Sequence, residues 1–215
     1  MKNRPETIDE TAAIVTARGG DGIAIRVDHT IPGETHIITS YYGLPRVRPG
    51  GLVIEITDGN AYFYRGHFFY DLVKTTVIRM AFALSQELAD RAIPVVAVTP
   101  GFLRSEWMLD HFGVTEANWR DAAETVKEFS ASETPLFVGR CVAALAADPN
   151  VAAKNGRVFA SWDLAEEYRV NDADGTRPHF VRWLHEHKPE VAAGWNKADD
   201  GFYAYWGRMP SGIPG

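Results

Sequence analysis

The chain is poor in cysteine, since Cys141 is the only one among its 215 residues. A single cysteine cannot close a disulfide within the chain, which indicates a reducing compartment; we expect a cytoplasmic protein with Cys141 as a small core residue. Long apolar runs are absent as well. Lys74, Arg79 and Arg140 interrupt the most apolar stretches well before the ~18 residues that a membrane span needs. The polar beginning does not resemble a signal peptide, and we expect no membrane association.

Positive charge is also scarce. The 22 Lys and Arg residues are outnumbered by 28 Asp and Glu residues, and the resulting net charge of -6 argues against nucleic acid as a partner. Apolar residues are plentiful, because 46% of the chain is hydrophobic and 12% is aromatic. This composition is typical of a globular protein with a real core, and it excludes the disordered, collagen-like and coiled-coil classes.

Helical and extended patterns of apolar residues alternate along the chain. Helical patterns cover residues 5–18, 36–47, 70–91, 119–129, 135–147 and 180–187, and strand patterns cover residues 22–28, 52–57, 93–99 and 157–161. The run over 93–99 is almost wholly apolar, which is typical of a strand buried on both faces of a parallel sheet. The alternation predicts an α/β fold, with helices on both faces of a parallel sheet.

The composition changes from Tyr168 onward, with a turn cluster at residues 171–175 and a sequence rich in proline and glycine at residues 210–215. We therefore predict one domain over residues 1–167 and a C-terminal extension over residues 168–215.

Tyr70 and Lys74 stand four residues apart at the start of a predicted helix, so their side chains project from one face. A positive charge near the phenol would favour the phenolate and lower the pKa of Tyr70, as proton exchange with an alcohol or a carbonyl requires. The spacing alone is common in sequences, and a pair of surface residues is the other interpretation. Its context is more specific. Thr57 ends one predicted strand with Asp58 beside it, and such strand ends share the edge of a parallel sheet where ligands bind.

The order and spacing of several residues resemble the short-chain dehydrogenase/reductase family, and most closely its dehydrogenase/reductase family member 1 subgroup: Thr57, Tyr70, Lys74, Pro100, Gly101 and Ser105. The resemblance extends from residue 5 to about residue 168 and implies a three-layer Rossmann-like domain. It also implies an NAD(P)-dependent oxidoreductase that interconverts a small alcohol and a ketone or aldehyde by hydride transfer.

The resemblance assigns a role to each residue of the predicted site. Tyr70 would be the general acid/base, Lys74 would hold the nicotinamide ribose, and Thr57 would bond the substrate oxygen. NAD or NADP would lie among Asp28, Tyr70, Lys74, Pro100, Gly101, Leu103 and Ser105. Trp107, Met108 and Leu109 occupy the place of the mobile substrate loop of the family. His185 and His187 have no partner spacing for a metal site, so we predict none.

Two blocks of the family pattern are missing from the sequence. One is the turn Thr-Gly-x-x-x-Gly-x-Gly, whose glycines let backbone N–H groups approach the pyrophosphate, and the other is the Asn-Asn-Ala-Gly strand. The glycines at 19–22 and 50–51 lead from helix into strand, which is the wrong polarity for such a cradle. The sequence therefore indicates a truncated domain. A catalytically inactive fragment that acts through protein association is the alternative, and the resemblance implies a homo-oligomer through helices 36–47 and 70–91.

Overall fold

The computed structural model describes residues 7–24, 34–193 and 196–197 of the chain. The chain divides into two compact units, Met1–Val47 and Arg48–Gly215. In the first unit, helix α1 spans Ile8–Ala17 and helix α2 spans Glu34–Gly43, followed by a 3-10 turn over Leu44–Arg46. A capping box at Thr7 and Glu10 starts α1.

The first predicted strand, over residues 22–28, is wrong where the structure describes it. Gly22–Ala24 are not in a strand, because the chain turns back onto α1 and the Gly22 N–H donates to Thr16 Oγ1 at 3.1 Å. The rest of that prediction, Asp28 included, lies outside the described residues. The predicted helix over 36–47 is confirmed as α2, which ends before Pro45 because proline lacks the N–H that would continue it.

The second unit contains the sheet. Strands β1 (Val53–Ile56), β3 (Val95–Thr99) and β4 (Val158–Ala160) are parallel and lie in the order β1-β3-β4. Val53 pairs with Val95, and Ala97 pairs with Val158. A separate antiparallel pair joins β2 (Ala61–Tyr62) to β5 (Asn196–Lys197). Three of the predicted strands are thus confirmed as neighbours in one parallel sheet.

The described residues of this unit form six α-helices: α3 (Phe68–Glu87), α4 (Glu106–Phe112), α5 (Pro135–Ala147), α6 (Ser161–Tyr168), α7 (Phe180–His187) and α8 (Pro189–Ala192). Val96 and Val98 face a core shared with α5 and α6, where Phe137, Cys141 and Leu164 are fully buried. The alternate residues of β3 face α3, which packs against the sheet from the other side. The domain is therefore a three-layer Rossmann-like α/β fold, and Cys141 is confirmed as a core residue.

The predicted helix over residues 119–129 needs a correction. It consists of two 3-10 stretches, Trp119–Glu124 and Lys127–Ala131, separated by the extended backbone of Val126. This break lets Trp119 and Phe129 point into one aromatic cluster, with ring centroids 6.0 Å apart. None of the described helices is long and apolar enough to span a bilayer. The domain boundary at 167/168 stays a prediction.

Candidate active site

A cleft of about 440 Å³ opens at the carboxyl ends of β1 and β3. Its walls are the two strand-end turns, the first turns of α3, and the side chains of Met108, Trp162 and Phe180. Among the predicted site residues, Asp28 lies outside the described residues. The other predicted site residues all line it: Thr57, Tyr70, Lys74, Pro100, Gly101, Leu103 and Ser105.

The Tyr70 hydroxyl donates a hydrogen bond to Asp58 Oδ2 at 2.8 Å. Partial burial raises the pKa of Tyr70, and the negative charge of Asp58 and its hydrogen bond raise it further. The positive charge of Arg65 opposes this rise in the pKa. The direction is opposite to the one expected from the Tyr70–Lys74 spacing, because the carboxylate contacts the hydroxyl whereas Lys74 Nζ lies 5.6 Å from the ring centroid.

Lys74 extends along the face of the Tyr70 ring into the cleft. Desolvation lowers the pKa of Lys74, because burial disfavours the charged ammonium, while the charge of Asp58 acts in the opposite direction. The ammonium makes no hydrogen bond within the part of the chain that the structure describes. It is therefore a donor available to a ligand in the cleft.

Thr57 is almost fully buried, with 2% of its surface exposed. Its hydroxyl donates to the backbone carbonyl of Lys74 at 2.8 Å, and its own N–H continues the sheet by donating to Val98 at 2.9 Å. The Thr57 side chain thus fastens the end of β1 to α3. Its proton is used in this contact, although the oxygen remains at the wall of the cleft.

Arg65 was not among the predicted site residues, yet it organises the turn after β1. Its side chain is 3% exposed. Nε donates to the Asp58 carbonyl at 2.7 Å, and Nη1 donates to Asp71 Oδ1 at 2.8 Å and to Thr75 Oγ1 at 3.2 Å. The guanidinium therefore ties the turn that carries Asp58 to the first turns of α3. No periodic spacing in the sequence indicates these contacts.

Glu133, also absent from the prediction, supports the second strand-end turn. Its Oε2 accepts from the Gly101 N–H at 2.9 Å and from Ser161 Oγ at 2.6 Å. The main chain adds bonds from Arg104 N to the Glu133 carbonyl and from Glu133 N to the Phe102 carbonyl. Burial raises the pKa of Glu133 to about 7, although the hydrogen bonds to Oε2 oppose the rise. Oε1 is buried and has no hydrogen-bond partner among the described residues.

The residues predicted as a mobile loop form α4. Ser105 caps its first turn, with the hydroxyl accepting from Met108 N at 3.4 Å. Met108 lines the cleft, whereas Trp107 is 61% exposed. Phe180 of α7 lines the cleft as well, so the predicted C-terminal extension supplies part of its wall. Across the described ranges 7–24, 34–193 and 196–197, no cluster of His, Cys, Asp or Glu could hold a metal ion.

No protein-family model matches the chain. The chain is 31% identical over 143 residues to the human protein "Dehydrogenase/reductase SDR family member 1", an alignment that covers 65% of this chain and 46% of that protein. The mouse protein of the same name is 31% identical over 144 residues, with the same shares covered. Over this stretch the chain is similar to members of the short-chain dehydrogenase/reductase (SDR) family. It spans about half the length of the curated relatives that it matches.

Two solved structures show the same fold as this chain. A dehydrogenase from Xanthomonas campestris is 15% identical, with a TM-score of 0.57 over 82% of this chain and 79% of that one. A double variant of a Serratia marcescens short-chain dehydrogenase/reductase is 18% identical, with a TM-score of 0.52 over 71% of this chain and 80% of that one. At these identities the likeness is one of fold.

Proposed function

We propose that this chain is an NAD(P)-dependent oxidoreductase that interconverts a small alcohol and a ketone or aldehyde, with Tyr70 as its general acid/base. One observation carries the proposal. The fold brings the Tyr70 hydroxyl, the Lys74 ammonium and the Pro100–Ser105 turn into a single cleft at the carboxyl edge of the sheet. This edge is where ligands bind in open α/β folds.

The cleft fits the nicotinamide end of the cofactor. Lys74 offers an ammonium that a ribose hydroxyl can accept from, and the turn Pro100, Gly101, Leu103 and Ser105 offers a wall beside it. When bound, the nicotinamide would accept or supply a hydride. The pyrophosphate end has no matching glycine turn in the sequence, and the described residues place no glycine-rich helix start at the sheet edge. Asp28 as a contact near the adenine stays a prediction.

The cleft residues divide the remaining work. The Tyr70 hydroxyl would exchange the proton with the substrate oxygen, and Thr57 would hold the strand end that positions Tyr70 and Lys74. Met108, Trp162 and Phe180 form an apolar wall that would exclude water and favour a substrate with an apolar body.

Protein association without catalysis is the second candidate function, and exposed apolar side chains favour it. Phe68, Phe69 and Leu72 at the start of α3 are 63%, 57% and 52% exposed. In the first unit, Ile37 and Tyr41 of α2 are 58% and 73% exposed. Exposed apolar clusters of this kind are common at protein–protein contacts, and they suit a homo-oligomer.

Thermal unfolding with NADH and NADPH tests the proposed function. A nucleotide at about ten times its Kd would stabilise the folded chain by roughly 1.4 kcal/mol, which raises Tm by about 3–5 °C. Lys74→Met should abolish most of this rise, whereas Lys127→Met, which removes an exposed lysine that does not line the cleft, should keep it. The absence of any shift with either nucleotide, in a chain that still self-associates by light scattering, would favour the second candidate.

A further inference from the structure

The neighbouring side chains of Thr57 and Asp58, at the end of β1, make different hydrogen bonds. The Thr57 hydroxyl proton is committed to the Lys74 carbonyl, at 2.8 Å, and the threonine is 2% exposed. Asp58, the next residue, lines the cleft and accepts the Tyr70 hydroxyl at 2.8 Å. The group in contact with the reactive phenol is therefore a carboxylate.

We propose that Asp58, rather than Thr57, is the strand-end side chain that accepts the proton of Tyr70 when Tyr70 takes a proton from a bound alcohol. The alcohol substrate in this inference rests on the proposed function. The pairing of Tyr70 with Asp58 rests on their hydrogen bond. Asp58 is a positioning residue in this scheme, because it acts on the substrate only through the Tyr70 hydroxyl.

The proton movement balances in the direction of alcohol oxidation. The alcohol O–H proton passes to Tyr70 Oη while the original Tyr70 proton passes to Asp58 Oδ2, and the carbinol carbon gives up a hydride to the oxidised nicotinamide. The products are the ketone or aldehyde, the reduced nicotinamide, a neutral tyrosine and a protonated Asp58. The Asp58 side chain is partly exposed, so it can return its proton to solvent.

The turn that carries Asp58 is held in place from its buried side. Arg65 Nε donates to the Asp58 carbonyl, and Gly59 at φ +81 donates its N–H to Thr99 Oγ1 at 2.6 Å. Among the described residues, the charges of Asp58 and Arg65 act on the pKa of the Tyr70 hydroxyl, and the Lys74 ammonium lies 5.6 Å from the centroid of the Tyr70 ring. Of these, only Asp58 is within hydrogen-bond distance.

The chain contains a matched pair that serves as a control. Tyr168 donates its hydroxyl to Asp148 Oδ2 at 2.6 Å, and neither residue lines the cleft. The negative charge and hydrogen bond of Asp148 add to desolvation in raising the pKa of Tyr168, as Asp58 does for Tyr70. Each pair contains a hydrogen bond from a tyrosine hydroxyl to an aspartate, and only the Tyr70–Asp58 pair lines the cleft.

Titration of ring-labelled [ζ-13C]tyrosine by NMR tests the pairing without any need for activity. In Asp58→Asn, one additional tyrosine should ionise between about pH 9 and about pH 11, the ordinary range for tyrosine. Adding Tyr70→Phe should remove that signal. Asp148→Asn should release a different tyrosine, which Tyr168→Phe removes. An Asp58→Asn variant whose Tyr70 titrates as in the wild type overturns the inference.

Alcohol oxidation provides the second readout. Without Asp58 the reaction needs an ionised Tyr70, so Asp58→Asn should lower kcat on the order of 10- to 100-fold at about pH 7 and much less at about pH 10. Asp148→Asn should leave kcat unchanged at both pH values. A pH-independent loss, or no loss, in Asp58→Asn overturns the inference. A wild-type chain that oxidises no alcohol overturns the proposed function, and the titration then decides on Asp58 alone.

Discussion

At the scale of single residues, two carboxyl groups make the hydrogen bonds that organise the cleft. The Asp58 carboxylate accepts the hydrogen bond of the Tyr70 hydroxyl, which favours the protonated phenol. Arg65 holds the turn that contains Asp58. On the other side of the cleft, Glu133 accepts the Gly101 N–H with one carboxyl oxygen, and its other oxygen has no partner in the part of the chain that the structure describes. A carboxyl group in this position is stabilised in its neutral form, because burial disfavours the charge.

We predict that Glu133 makes the fold less stable as the pH rises. The folded chain keeps the Glu133 proton up to about pH 7, whereas the unfolded chain releases it near the ordinary pKa of 4.5. The folded state therefore binds more protons between these values, and its contribution to stability falls with rising pH by up to about 3 kcal/mol. Urea unfolding at about pH 5 and about pH 8 measures this loss.

The matched variants for this prediction are Glu133→Gln and Glu190→Gln. Glutamine at 133 cannot ionise, so its free energy of unfolding should change less between the two pH values than that of the wild type. Glu190 is an exposed residue of α8, and its replacement should leave the wild-type pH dependence intact. Identical pH dependence in Glu133→Gln and in the wild type would show that Glu133 is ionised throughout.

At the scale of elements, the sequence predicts best where a local signal is strong. The apolar runs give β1, β3 and β4, and Thr134 with Pro135 marks the start of α5, because a hydroxyl cap and an N-terminal proline are local signals. Helices α4 and α6, of seven and eight residues, are not among the elements that the sequence pattern predicts.

The site residues also divide into those that a sequence pattern indicates and those that only tertiary contacts bring to the cleft. The sequence indicates Tyr70, Lys74 and the Pro100-Gly101 turn because they form a pattern in order along the chain. Arg65 and Glu133 act through tertiary contacts with segments far from a recognisable motif, and no sequence spacing predicts such contacts. Phe180 reaches the cleft from α7 for the same reason, although that helix was itself predicted.

One close contact between elements permits a test of how α3 packs. Gly156 precedes β4 with a φ of +74, and a Cβ added there would lie 2.6 Å from Ser85 Oγ of α3. Gly156→Ala should therefore cost about 2–3 kcal/mol of stability, from the left-handed backbone together with the steric overlap. Gly175→Ala is the control, because Gly175 has a φ of +82 and no heavy atom within 4 Å of the added Cβ.

Gly175→Ala should cost about 1 kcal/mol, the strain of the backbone alone. The difference between the two variants, measured by urea unfolding, then reports the contact between Gly156 and Ser85. Equal losses in both variants would mean that α3 is not packed this closely against the segment before β4.

At the scale of the whole molecule, the fold brings the predicted catalytic residues to one sheet edge, whereas the sequence contains no counterpart for the pyrophosphate end of the proposed cofactor site. The three-stranded sheet places Thr57, Tyr70, Lys74 and the Pro100-Gly101 turn at one edge. The chain spans 46% of the human relative, and its sequence contains no glycine-rich dinucleotide turn. We propose that the cleft nevertheless carries out hydride transfer with Tyr70 as the proton-exchanging group.

The most direct test of this claim is steady-state turnover of the wild type, Tyr70→Phe and Tyr168→Phe, followed by the absorbance of the reduced nicotinamide with a panel of secondary alcohols and ketones. Both substitutions remove one tyrosine hydroxyl that donates to an aspartate, and only Tyr70 lines the cleft. The account predicts turnover by the wild type and by Tyr168→Phe, and a loss on the order of 100-fold or more in Tyr70→Phe. Equal turnover by Tyr70→Phe and the wild type, or none by the wild type with either nucleotide, would contradict it.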